Sequence, residues 1–148
     1  KKIGRAASTW ALVDLSTKGM ANVSECLEGN PYMKPVEKRE DDLVYGKVKP
    51  PKTIDIEHEF EIRFDDLDVN HHVNNANYIV WAFEPLDFEF RKQYKLKNLD
   101  MVFKKEIKYG NKVLTQIEMQ NNNKTVHIVK NKDTGEELCL ISAEWIKK

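Results

Sequence analysis

The sequence predicts an α+β domain in which one antiparallel sheet wraps around a central helix. Three observations lead there. A two-residue alternation of apolar and charged residues runs from Ile54 to Phe64, and an apolar segment follows from Val73 to Phe83. Several strand-like runs separated by turn residues then close the chain.

Taken in order, "GRAASTWALVDLSTKG" (Gly4 to Gly19) reads as a strand ending in a polar turn, with Thr9, Ala11, Val13 and Leu15 alternating with Trp10, Leu12 and Asp14. The stretch from Glu25 to Thr53 carries Pro31, Pro35, Pro50 and Pro51 among clusters of both charges. It is expected to be a linker, with a short helical piece over Val36 to Leu43. In "IDIEHEFEIRF", Ile54, Ile56, Phe60, Ile62 and Phe64 share one face, while Asp55, Glu57, Glu59, Glu61 and Arg63 share the other. That is a half-buried antiparallel strand. Val73 to Phe83 is apolar on several sides, as in a helix enclosed by protein, and Pro85 should stop it near Glu84. Leu86 to Tyr94 predicts a second, more exposed helix. Met101 to Tyr109, Lys112 to Gln120, Lys124 to Asn131 and Glu136 to Lys147 predict a four-strand meander. Its hairpin turns fall at Gly110-Asn111, Asn121 to Asn123 and Asp133 to Gly135.

A length of 148 residues bounds the chain to one domain, or one domain plus part of another. The 24 basic residues balance 24 acidic ones, which argues against a nucleic-acid binder that relies on bulk positive charge. No run approaches the roughly 18 apolar residues of a membrane-crossing helix. No secretory leader is visible, so a cytoplasmic location is the expectation. Cys26 and Cys139 lie far apart and are expected to be reduced, mostly buried thiols. The chain begins with Lys1 and Lys2 and reads as a piece of something longer.

The chemistry concentrates in "DLDVNHHVNNANYIVW" (Asp66 to Trp81), where Asp68, Asn70 and His72 stand two residues apart and Asn74 and Asn75 follow. Helix capping by Asp or Asn explains one or two of these residues. It does not explain a histidine in the same series, so a chemical site stands beside the capping explanation. A metal site is disfavoured: His71 and His72 are adjacent, so in an extended loop their rings point apart, and no cysteine is near. No metal and no cofactor are expected. His58 and His127 fall in strands, where a hydrogen-bonded histidine in or near the core is the default. Trp10, Trp81 and Trp145 are most simply packing residues.

"DLDVNHHVNNANYIVWAFE" (Asp66 to Glu84) closely resembles the signature of acyl-acyl-carrier-protein thioesterases, enzymes built from two hot-dog domains in tandem. "GRAASTW" (Gly4 to Trp10) resembles a late strand of the first hot-dog domain, and "MVFKKEIKYGN" (Met101 to Asn111) the strand after the second domain's helix. The resemblance implies a hot-dog fold and the following organisation: residues 1–22 as the end of a first domain, 23–52 as an interdomain linker, and 53–148 as the catalytic domain. It places the family's catalytic acid, amide and imidazole on Asp68, Asn70 and His72, and its glutamate on Glu106. Plant members often carry a cysteine beside that glutamate. Here Ile107 stands there, which excludes a cysteine nucleophile at that position. Two routes stay open: water activated by Glu106 with His72 assisting, or attack by Asp68 through an acyl anhydride.

The resemblance also implies an acyl carrier protein as partner, while the charge balance and the lack of a long apolar run lead to the expectation of no nucleic acid and no membrane. Acyl carrier proteins are acidic. Arg91, Lys92, Lys95, Lys97, Lys104, Lys105, Lys108 and Lys112 form a basic run opposed within it only by Asp100 and Glu106. Arg91, Lys92 and Lys95, with Asn74 and Asn75, are the candidate substrate-binding residues, against the alternative of a solvated charged face. A homo-oligomer, or pairing with a missing first hot-dog domain, is expected to complete the fold. A hot-dog acyl-CoA thioesterase and a non-catalytic acyl-binding fragment are the competing functions.

Overall fold

The structure is a computed structural model that describes residues 3–17, 19–30, 43–44, 46–121 and 123–148. It divides into two compact units, residues 1–45 and 46–148.

In the first unit the expected strand over Gly4 to Gly19 does not form. Among the described residues, only an isolated bridge joins Val13 to Met20. Between them Asp14 turns the chain, its Oδ1 accepting from the backbone N–H groups of Ser16 (2.7 Å) and Thr17 (3.0 Å). Those bonds hold its carboxyl down at about 2, the Ser16 hydroxyl contributing most. Alternation supplies a strand's faces but not the neighbouring ladder that keeps it extended. A short helix, α1 (Val23–Leu27), is capped by Asn22, whose side chain accepts from the Ser24 N–H. The helical piece expected over Val36 to Leu43 lies, apart from Leu43, outside the described residues.

The second unit runs β1 (Ile56–Glu61), a 3₁₀ turn (Phe64–Asp66), α2 (Asn75–Phe83), α3 (Phe88–Gln93), β2 (Tyr94–Phe103), β3 (Lys112–Gln120), β4 (Lys124–Asn131) and β5 (Glu137–Lys147). All neighbouring strands are antiparallel, in the order β1-β3-β4-β5-β2. α2 lies against β3 and β4, burying Tyr78, Trp81 and Ala82 among Val113, Val129, Leu138, Cys139 and Ile141. This is the hot-dog arrangement that the resemblance implies. Helix α2 ends at Phe83 with Glu84 as its C-cap, as the ring of Pro85 dictates.

Two expectations change. β2 starts at Tyr94 and ends at Phe103, earlier than the run from Met101 to Tyr109. It pairs with β5 at the far edge instead of forming a hairpin with β3, so Gly110-Asn111 is not a hairpin turn. Residues 104–111 cross from one side of the sheet to the other, with Gly110 in the left-handed region (φ 89°) just before β3 begins. β3 pairs with β4 and β4 with β5 as successive antiparallel neighbours, as expected of the meander.

The sheet also holds the C-terminal end of α2, where helix carbonyls lack intrahelical partners. The Thr115 hydroxyl donates to Trp81 O (3.1 Å), and His127 Nδ1 donates to Ala82 O (2.8 Å). A carbonyl can only accept, so Nδ1 carries the proton and Nε2 accepts from the Thr125 hydroxyl (2.7 Å). That oxygen in turn accepts from Trp145 Nε1 (2.9 Å). Burial pulls His127 down to about 4, so it is neutral. His58, by contrast, is exposed on β1, its ring 4.6 Å from that of Phe60, because an edge strand leaves one margin to solvent.

Candidate active site

The loop between the 3₁₀ turn and α2 is pinned at both ends. Asp66 is buried, its carboxylate taking the Arg63 guanidinium (2.9 Å) and the Arg63 N–H (2.8 Å). Its carbonyl accepts from the N–H of Asn74 (2.8 Å) and from Asn77 Nδ2 (2.8 Å), tying the turn to the start of α2. Between these anchors the Asp68 carboxylate gathers the backbone. Its Oδ1 accepts from the N–H of Asn70 (2.8 Å) and of His72 (3.2 Å), while its own N–H donates to His72 O (2.7 Å). The tight turn puts His71 in the left-handed region at φ 59°, an unusual place for a residue with a side chain.

That turn delivers His72 to the crossover. His72 bridges Lys108, and the Val73 N–H donates to Ile107 O (3.1 Å). His72 Nδ1 then lies 3.3 Å from Glu106 Oε2, with the histidine about a third exposed and the glutamate two-thirds exposed. Glu106 does not sit in a strand, as expected from the sequence, but on the irregular stretch between β2 and Lys108. It lines an open depression of about 380 Å³ together with Asn75, Tyr78, Phe103, Lys104 and Lys105.

The structure therefore brings Asp68, His72 and Glu106 into one network and leaves Asn70 exposed on the same turn. Asn74 is the N-cap of α2, its Oδ1 accepting from the Ala76 N–H (3.0 Å), so capping accounts for this residue but not for Asp68. Asn75 opens α2 at the rim of the depression. Arg91 and Lys92 stand elsewhere, around a second depression at the other end of α2 with Glu84, Leu86 and Phe88. Arg91 pairs with Glu84 (3.0 Å) and Lys92 with Glu89 (3.6 Å). Lys95 is exposed on β2.

Cys139 is not among the residues that line the depression. Cys26 is exposed on α1, contrary to the expectation of mostly buried thiols, because that helix buries no residue. Cys139 packs in the core beside Val73 and Ile107, where burial pushes its thiol up to about 12. Among the described residues no cluster of His, Cys, Asp and Glu is grouped to hold a metal.

Sequence reading missed Asp66, Asn77 and Tyr78. Each had a signal. Asp66 opens the quoted motif three residues after an arginine, and a buried helix carrying an amide and a hydroxyl must find partners for them.

Sheet order, enclosed helix and the polar network at that helix's N-terminus define a hot-dog domain with a candidate hydrolytic site. The chain belongs to the acyl-ACP thioesterase family, whose C-terminal domain matches residues 49–147. The chloroplastic oleoyl-acyl carrier protein thioesterase 2 of Arabidopsis thaliana is 23% identical over 189 residues, covering 99% of this chain and 48% of that protein. The chloroplastic palmitoyl-acyl carrier protein thioesterase of the same plant is 30% identical over 107 residues, covering 69% of this chain and 26% of that protein. The solved 12:0-ACP thioesterase from Umbellularia californica shares the fold with a TM-score of 0.73 at 20% identity, over 92% of this chain and 53% of that one. The chain spans about half, or less, of the length of these relatives.

Proposed function

We propose that the protein carrying this chain hydrolyses the thioester of a fatty acyl-acyl-carrier-protein, releasing the free fatty acid and ending fatty-acid synthesis. The observation that carries this reading is the approach of His72 Nδ1 to Glu106 Oε2 (3.3 Å) at the rim of a depression, in a chain of this family. Glu106 takes a proton from a water molecule as the water oxygen attacks the thioester carbonyl carbon. His72 holds the carboxylate, and the protonated Glu106 then returns the proton to the departing sulfur, so the products are a carboxylic acid and a thiol. Asn70 positions the water or the carbonyl.

The carbonyl oxygen becomes an oxyanion. The Ala76 and Asn77 N–H groups go to Asn74, so the Asn75 N–H is the α2 amide assigned to that oxygen. Asp68 orients the turn. Its Oδ1 already accepts two backbone N–H bonds, which favours this task over attack on the substrate.

Release of free thiol by the full-length protein, measured on acyl-carrier-protein and acyl-CoA substrates in parallel, tests the reading. Preference for the carrier protein is expected. Turnover of acyl-CoA alone would assign the chain to coenzyme A chemistry, and turnover of neither would make it a binding module.

A further inference from the structure

The stretch that carries Glu106 lies outside the sheet's ladders, so something else must fix it. Residues 104–107 leave β2, and their hold on the sheet is at the ends. The N–H groups of Lys104 and Lys105 both donate to Leu138 O (2.8 and 3.2 Å), and Ile107 O accepts from Val73. Between these anchors lie the two peptide groups that flank Glu106. The Tyr78 hydroxyl reaches the first of them, donating to Lys105 O through a long bond (3.5 Å).

The ring behind that hydroxyl is fixed. Tyr78 is 1% exposed, meets Phe103 edge-on (5.5 Å, 87°) and lies tilted against Trp81 (5.7 Å). It projects from α2, the helix that begins three residues after His72. Burial pushes the hydroxyl up to about 12, so it keeps its proton and can donate.

We propose that Tyr78 is a positioning residue for Glu106: its hydroxyl holds the carbonyl of the preceding residue, Lys105, and so helps fix the carboxylate opposite His72. The inference rests on the reading of Glu106 as the group that activates water. A purely structural tyrosine would act through its ring, which phenylalanine retains.

The test is a double-mutant cycle in the full-length protein, with wild type, Tyr78→Phe, Glu106→Gln and the double variant assayed on an acyl-carrier-protein substrate. Tyr78→Phe is expected to lower kcat about tenfold with KM within about twofold, since small displacements of a catalytic group are costly. On the Glu106→Gln background it should change nothing further, because the two act as one unit. Amide hydrogen exchange at Glu106, whose peptide group carries the Lys105 carbonyl, should quicken in Tyr78→Phe, a readout independent of turnover. Wild-type kcat in Tyr78→Phe, an equal tenfold loss on both backgrounds, or unchanged exchange overturns the proposal. Full activity in Glu106→Gln overturns the reading beneath it instead, and is visible without touching Tyr78.

Discussion

Glu106 is two-thirds exposed on an irregular stretch, so chemistry and stability separate cleanly at this residue. Glu106→Gln keeps shape and volume and is expected to lower turnover at least about 100-fold, the scale of losing a general base. Thermal unfolding should barely move. Full turnover would remove Glu106 from the mechanism. Asn70→Ala and His72→Ala should lose activity on a similar scale. His71 makes a different kind of prediction, through its backbone at φ 59°. His71→Gly should be tolerated, whereas His71→Val, β-branched in the left-handed region, should cost about 1–3 kcal/mol in denaturant titration and depress kcat by displacing His72. Asp68, Asn70 and His72 stood out as candidates by their two-residue spacing, beside a capping explanation, and Glu106 only through the family resemblance. Nothing in one sequence says which glutamate a loop will meet in space. Tyr78 was hidden differently, since a tyrosine in an apolar helix reads first as core.

The element on which the site depends is α2, and it is held at both ends by polar groups. At its start, Asn74 caps it and Asn77 ties it to Asp66. At its end, Thr115 and His127 take the carbonyls of Trp81 and Ala82. His127 gives this anchor a pH dependence. Its folded value, about 4, lies below the usual 6.5, so the unfolded chain takes up a proton that the folded chain refuses. Stability from this group is complete above about pH 6.5, falls as pH drops from there towards 4, and levels off below; the loss amounts to about 3 kcal/mol. Thermal midpoints across that range should decline in the wild type, while His127→Gln should start lower at pH 8 and decline less. A parallel decline in both would show that other groups set the slope. The helix, its stop at Pro85 and the meander from β3 to β5 were readable because each has a local cause: apolar periodicity, a missing N–H, or turn residues between alternating runs. The position of β2 was not. A strand's pattern records its faces but not its neighbours, and Gly110-Asn111 looks alike at the end of a hairpin or of a crossover.

At the scale of the whole molecule, the sheet ends in two edges, β1 and β2, and β2 exposes Leu96, Val102 and Phe103 at 41, 40 and 47%. Such an edge invites another strand, so residues 1–148 expressed alone are expected to self-associate. Light scattering that finds a stable soluble monomer would contradict this. Charge is the second global property, and the fold changes how the basic run reads. Its opposing carboxylates come from segments distant in sequence: Glu144 meets Lys97, Glu137 meets Lys104, Glu136 meets Lys105, and Glu61 meets Lys112. Arg91 and Lys92 are paired as well. Among the described residues, Lys95 and Lys108 alone of the run face no carboxylate within ion-pair distance, and Lys108 bridges His72. An acidic carrier protein delivering its acyl chain to Glu106 would therefore feel Lys108 more than the paired cations at the far end of α2. Exposed charges chiefly steer encounter, and salt screens them over about 10 Å. Lys108→Glu should raise KM for an acyl-carrier-protein substrate several-fold at low salt and less at high salt, while leaving hydrolysis of a small uncharged thioester nearly unchanged. Arg91→Glu with Lys92→Glu should have the smaller effect. If the order is reversed, the carrier protein docks at the other end of the helix, and the acyl chain must reach Glu106 along α2.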